Sequence, residues 1–97
     1  MTWDVDTTLA NPLTASPCGL LRDPAYREGF AQLAPLGLSY DAWLFFPQLP
    51  ELFDIAKAYP DTPVIIKHCG GVVRTASYEQ HCQDVFDSWS RSMRELA

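Results

Sequence analysis

Thr62-Pro63-Val64-Ile65-Ile66-Lys67-His68-Cys69-Gly70-Gly71 is the stretch whose reading decides the fold. Val64, Ile65 and Ile66 are consecutive β-branched apolar residues, so the strand they form has no polar side to show to water. Such a run fits a parallel strand covered on both faces. The strand leads into a histidine and then a Gly-Gly pair. A histidine at the carboxyl end of a buried parallel strand, followed by backbone free to turn sharply, sits where α/β barrels carry their chemistry. The plainer alternative is a strand-end histidine that only hydrogen-bonds a loop. Both fit this segment.

Working outward, the chain alternates. Residues 1–20 are rich in Thr, Pro, Asn and Ser and read as a strand end followed by loop. Asp23-Pro24 then opens a helix with an N-cap acid and a proline in the first turn. Tyr26, Phe30 and Leu33 recur at helical spacing on one face, and Pro35 and Gly37 close it. Ser39 to Phe46 has the aromatic and apolar composition of a second strand. Pro47-Gln48-Leu49-Pro50 reads as a turn into a helix whose buried stripe is Leu52, Phe53, Ala56 and Tyr59. Tyr59-Pro60-Asp61 ends that helix. Beyond Gly71 lies an exposed linker, then a last helix with Val85, Phe86, Trp89, Met93 and Leu96 spaced by three and four. Two strands with a helix between them predict a βα crossover and parallel pairing.

Composition narrows the class. With 97 residues, 47% hydrophobic and 20% charged, the chain is at most one small globular domain. A net charge of −5 without a basic cluster argues against a nucleic-acid or anionic-membrane partner. The sequence shows no run long enough for a membrane span and no signal-peptide pattern at its start. Cys18, Cys69 and Cys82 are an odd count without paired spacing, the pattern of reduced thiols and a cytoplasmic location. Cys69 adjoins His68 and would point to the opposite side of the strand, which argues against a joint Cys/His metal site. A closed barrel of eight βα units needs roughly 200–250 residues. Two to three units leave edges and faces uncovered, so residues 1–97 are expected to be a piece of a larger protein of three-layer or barrel architecture.

Residues 21–71, with Asp23-Pro24, Gly29, Leu33, Gly37-Leu38, Asp41, Gln48-Leu49-Pro50, Pro60-Asp61-Thr62 and His68 with Gly70-Gly71, resemble the middle of an amidohydrolase-related protein. The branch most similar is that of 2-pyrone-4,6-dicarboxylate lactonase and the sugar-acid lactonases. Val85-Phe86-Asp87-Ser88-Trp89 and Trp3-Asp4 extend the likeness over nearly the whole chain. The resemblance implies a partial (β/α)8 TIM barrel and a hydrolase acting on a lactone or related cyclic ester, complete only with missing flanks. It maps the family's strand-end histidine onto His68. The first-strand His-x-His pair and the last-strand aspartate have no counterpart here. The family's acid before the histidine is Lys67 in this chain, and its proline after the glycines is Val72.

Lactone hydrolysis needs an activated water, a polarised carbonyl and a proton for the leaving alkoxide. His68 is the candidate catalytic residue, as oxyanion donor or as ligand to a divalent metal such as zinc, the latter only with the first-strand histidines. Some relatives need no metal. Gln48 is placed to bind a substrate carboxylate or hydroxyl, or else to cap the helix begun at Pro50. Gly70 would let backbone approach substrate closely, and a plain turn explains it as well. Trp43 and Trp89 read as core, and His81 as solvated. Asp41, in an apolar strand, is expected either to orient an active-site side chain or to pair with an Arg or Lys on a neighbouring strand, and its place early in the strand favours the pairing. On the pleat, Ile66 is expected to share a side with His68, with Ile65 and Lys67 toward the helices. The partners expected are a small lactone or carboxylate substrate and further copies of the chain, met through exposed apolar faces. The competing expectation is a truncated fragment with no activity of its own.

Overall fold

In the computed structural model, which describes residues 19–72 and 78–97, the first helix starts as its cap demands. The Tyr26 backbone N–H donates to Asp23 Oδ1 at 3.0 Å, and Pro24 begins helix α1, Pro24–Phe30. Helical turns continue to Gly37, whose φ is +68°. There the Gly37 N–H donates to the Ala34 carbonyl at 3.0 Å and the Leu38 N–H to the Leu33 carbonyl at 2.9 Å. These nested bonds are a Schellman stop, and glycine supplies the left-handed residue it requires. The strand-end and loop reading of residues 1–20 lies almost wholly outside the described residues, as do Trp3-Asp4 and Cys18.

Strands β1, Tyr40–Ala42, and β2, Val64–Ile66, pair in parallel, with Tyr40 opposite Val64, Asp41 opposite Ile65 and Ala42 opposite Ile66. Helix α2, Leu49–Ala58, makes the crossover between them. The first strand is shorter than the Ser39–Phe46 run suggested. Phe46–Gln48 is a 3-10 helix with Pro47 in its first turn, so the chain is already coiling toward α2 where the composition still reads as strand.

Buried Leu49, Leu52 and Ile55 form the inner line of α2, while Phe53, Ala56 and Tyr59 are only half-buried. The expected stripe is therefore rotated by part of a turn. Phe53 sits at its edge with Lys57 Nζ 6.0 Å from its ring, and Tyr59 closes on Phe30 at 5.4 Å between centroids. Arg27 ties three segments together. Its Nε–H donates to the Leu21 carbonyl at 2.9 Å, and its other guanidinium nitrogen lies 2.6 Å from Asp54 on α2. The C-terminal helix, Cys82–Leu96, lies against α2 with Val85 and Ser92 buried and Trp89, Met93 and Leu96 packed on the core. Phe86, expected in that stripe, is 52% exposed because the buried line passes one residue before it.

The two faces of the sheet differ. Ala42 is fully buried, and Tyr40, Val64 and Ile66 pack against the helical core. Asp41, Trp43, Ile65 and Lys67 lie exposed on the other face. This reverses the expected pleat: Ile65 and Lys67 turn away from the helices, and Ile66 turns toward them. The expected cover on both faces is met on one, since among the described residues the helices stand on one side only. Among the described residues, no helix is long and apolar enough to cross a membrane.

Candidate functional site

The ladder of β2 ends at Lys67, still extended at φ −79° and ψ 149°, whose N–H donates to the Ala42 carbonyl at 3.0 Å. The next four residues all have positive φ: His68 +50°, Cys69 +53°, Gly70 +74° and Gly71 +62°. The chain therefore leaves the strand through a left-handed turn. For an L-residue that region is disfavoured by about 1–2 kcal/mol, and histidine is among the residues that enter it more readily. The turn's reversal is why the strand's alternation does not carry through to the imidazole.

Packing holds the turn in place. The Gly70 N–H donates to the Lys67 carbonyl at 3.1 Å, and the Trp89 indole N–H donates to the Cys69 carbonyl at 2.7 Å. Gly70 and Gly71 are both buried. A Cβ on Gly70 would come within 3.1 Å of Met93 Sδ and 3.3 Å of Leu49 Cδ2. A Cβ on Gly71 would run into the Leu44 carbonyl oxygen and approach Phe45 Cα to 2.6 Å. Positive φ favours glycine at both positions, and at Gly71 the backbone contact demands it as well.

His68 itself is exposed at the carboxyl end of β2, its ring 5.6 Å from that of Trp43 and tilted 56° to it. Trp43, expected in the core, is 46% exposed, because it shares the open face with Asp41 two residues earlier. On that same face Lys67 Nζ lies 3.0 Å from Asp41 Oδ2. Asp41 thus pairs with a cation on the neighbouring strand, as its place in the strand suggested. The partner is Lys67, which the reversed pleat brings to the same side. An ion pair half in water stabilises little.

Gln48 is fully buried at the end of the 3-10 helix, and its side chain does not cap α2 although it occupies the cap position. Exposed His68 and buried Gln48 are thus presented differently. His81 is exposed, with Nδ1 3.6 Å from Asp84 Oδ2. Cys69 and Cys82 are free thiols, and the Cys82 thiol points at the Glu79 carbonyl at 3.4 Å. Among the described residues no three of histidine, cysteine, aspartate and glutamate converge on one point. His68 offers one imidazole, and the Asp41 carboxylate on the open face is engaged by Lys67. These residues do not by themselves make up a metal site.

Two participants are not identified by the sequence. The Trp89 contact spans 20 residues, which no short spacing reports. Trp43 has only its i, i+2 relation to Asp41, which puts the two on one face without saying which face is wet.

A family model described as Amidohydrolase matches residues 14–97. Among curated proteins, the chain is 37% identical over 76 residues to the Uncharacterized protein y4mH of Sinorhizobium fredii (strain NBRC 101917 / NGR234). That match covers 78% of this chain and 23% of the relative, so the chain spans under a quarter of its length. No solved structure matches the chain.

Proposed function

Because the chain belongs to the amidohydrolase family, we propose that it forms part of a (β/α)8 hydrolase acting on a lactone or related cyclic ester. In such a barrel the helices ring the outside and the strand carboxyl ends carry the site. The face of β1 and β2 that meets the core would then look outward, and the open face with Asp41, Trp43, Ile65 and Lys67 would look toward the barrel axis. The observation that carries the reading is exposed His68, held at the carboxyl end of β2 beside that face.

The imidazole there has two uses in ester cleavage. As a neutral ring it donates a hydrogen bond to the oxygen that gains negative charge when water attacks the carbonyl. As an imidazolium it hands a proton to the departing alkoxide. The base that activates water would come from another strand of the barrel. The superfamily commonly uses divalent metals, and His68 would contribute one nitrogen to a set drawn mainly from elsewhere. Gln48 and Gly70 belong to the substrate side of this reading, and Gly70 would take part through backbone atoms alone.

A second reading is favoured by one observation: His68 is the lone member of the expected catalytic set found in this chain. Groups that act as a unit lose nearly all their effect when the others are absent. The 97-residue chain alone is therefore expected to show no lactone turnover above background.

The test is a chimera in which this chain replaces the aligned segment of the Sinorhizobium fredii relative, assayed on a panel of aldonolactones. His68→Asn keeps a residue that tolerates positive φ and removes the imidazole. It should lower the maximal rate by about 10²–10⁴ while moving the melting temperature little. An unchanged rate would remove His68 from the mechanism. A chimera that folds and hydrolyses none of the lactones would overturn the lactonase assignment.

A further inference from the structure

The turn His68–Gly71 is gripped from outside by the C-terminal helix. Trp89 donates its indole N–H to the Cys69 carbonyl at 2.7 Å. Trp89 Nε1 and Met93 Sδ also stand 3.3 Å and 3.1 Å from where a Cβ on Gly70 would lie. The two residues are four apart, one helical turn, so they close over the turn as a pair. Two L-residues in the left-handed region persist only when their surroundings over-determine them. The Gly70 bond to Lys67 closes the turn from within. The indole bond holds the Cys69–Gly70 peptide, which directly follows the His68–Cys69 unit, in one orientation.

We propose that Trp89 is a positioning residue for His68: its indole N–H holds the Cys69 carbonyl and thereby sets where the imidazole stands beside Trp43. A residue placed there for packing alone would need only an aromatic ring. Trp89 does use its ring, which lies 5.5 Å from that of Phe86, but a phenylalanine would keep that contact. What phenylalanine lacks is the donor. The consequence for catalysis rests on the function proposed above, whereas the geometry of the turn does not.

The experiment uses the isotopically labelled 97-residue chain in solution, read by NMR. In the unaltered chain the Trp89 indole proton should exchange with solvent about tenfold or more slowly than that of exposed Trp43, the factor an ordinary hydrogen bond supplies. His68 and Cys69 should show the strong amide–Hα cross-peaks within one residue that positive φ produces. Trp89→Phe should lose those cross-peaks together with the ring contacts between His68 and Trp43. Met93→Leu keeps the donor and should retain all of them.

Trp89→Phe spectra that keep the left-handed signature would overturn the proposal. So would loss of that signature in Met93→Leu, since packing rather than the donor would then hold the turn. If Trp89→Phe fails to fold, the exchange rate in the unaltered chain decides, and an indole proton as fast as that of Trp43 overturns the assignment. In the chimera, Trp89→Phe should lower kcat more than it changes KM. A chimera without lactonase activity whose turn responds as described would remove the function and leave the positioning role in place.

Discussion

The two faces of the β1–β2 sheet are built from neighbouring residues and meet opposite fates. On one, Ala42 disappears completely beneath the helical core and Val64 and Ile66 pack against it. On the other, Ile65 stays 48% exposed and Asp41 and Lys67 pair in water. The difference shows where this chain is self-sufficient. It supplies a layer of helices for one face of the sheet, and the described residues supply none for the other. Residues of similar apolarity, Ile65 and Ile66, therefore contribute unequally to stability here, and would contribute alike in a closed barrel.

Gly71→Ala is the most severe way to break the comparison, because a Cβ there meets the Leu44 carbonyl just where β1 turns toward α2. Strain at a positive φ adds to that backbone clash, so the cooperative transition in chemical denaturation should be lost. Next in size is Leu52→Ala, which empties a fully buried site on the packed side. It should cost about 2–5 kcal/mol by the same measurement. Ion-pair removal on the open face comes lower. A double-mutant cycle over Asp41→Ala and Lys67→Ala should give a coupling of about 0.2–1 kcal/mol, fading in high salt. Smallest is Ile65→Ser, within about 0.5 kcal/mol in the isolated chain. Its larger effect should be weaker self-association in sedimentation, since it removes exposed apolar surface. An Ile65→Ser change as damaging as Leu52→Ala would mean that the open face is already covered, and the contrast between faces would fall.

Much of the frame was legible because its signals are local. Asp23-Pro24 names a helix start, Gly37 a helix stop, and two apolar runs flanking an amphipathic segment name a parallel pair. The phase of the pleat was not legible. Val64-Ile65-Ile66 has no alternation from which to read an inner and an outer side, and a shift of one residue exchanges them. Counting back from His68 does not recover it, because the left-handed turn intervenes between the strand and the histidine. The side of Lys67 is hidden for the same reason, whereas the kind of partner that Asp41 finds is legible from its place in the strand. In the C-terminal helix the stripe is legible but its edge is not. Val85 and Phe86 are adjacent and both apolar, and only the packing shows which is inside.

The turn after β2 also has a consequence in terms of handedness. His68–Gly71 is a stretch of backbone wound in the sense that L-residues avoid, and glycine, being achiral, is the one encoded residue indifferent to it. The chain has five glycines and places two of them here, at the buried half of the turn. The exposed half carries side chains instead. A turn required only to reverse direction would be more stable with glycine at 68, so the imidazole is kept at a chirality cost of about 1–2 kcal/mol. That is a reason, independent of any family likeness, to look for chemistry at His68.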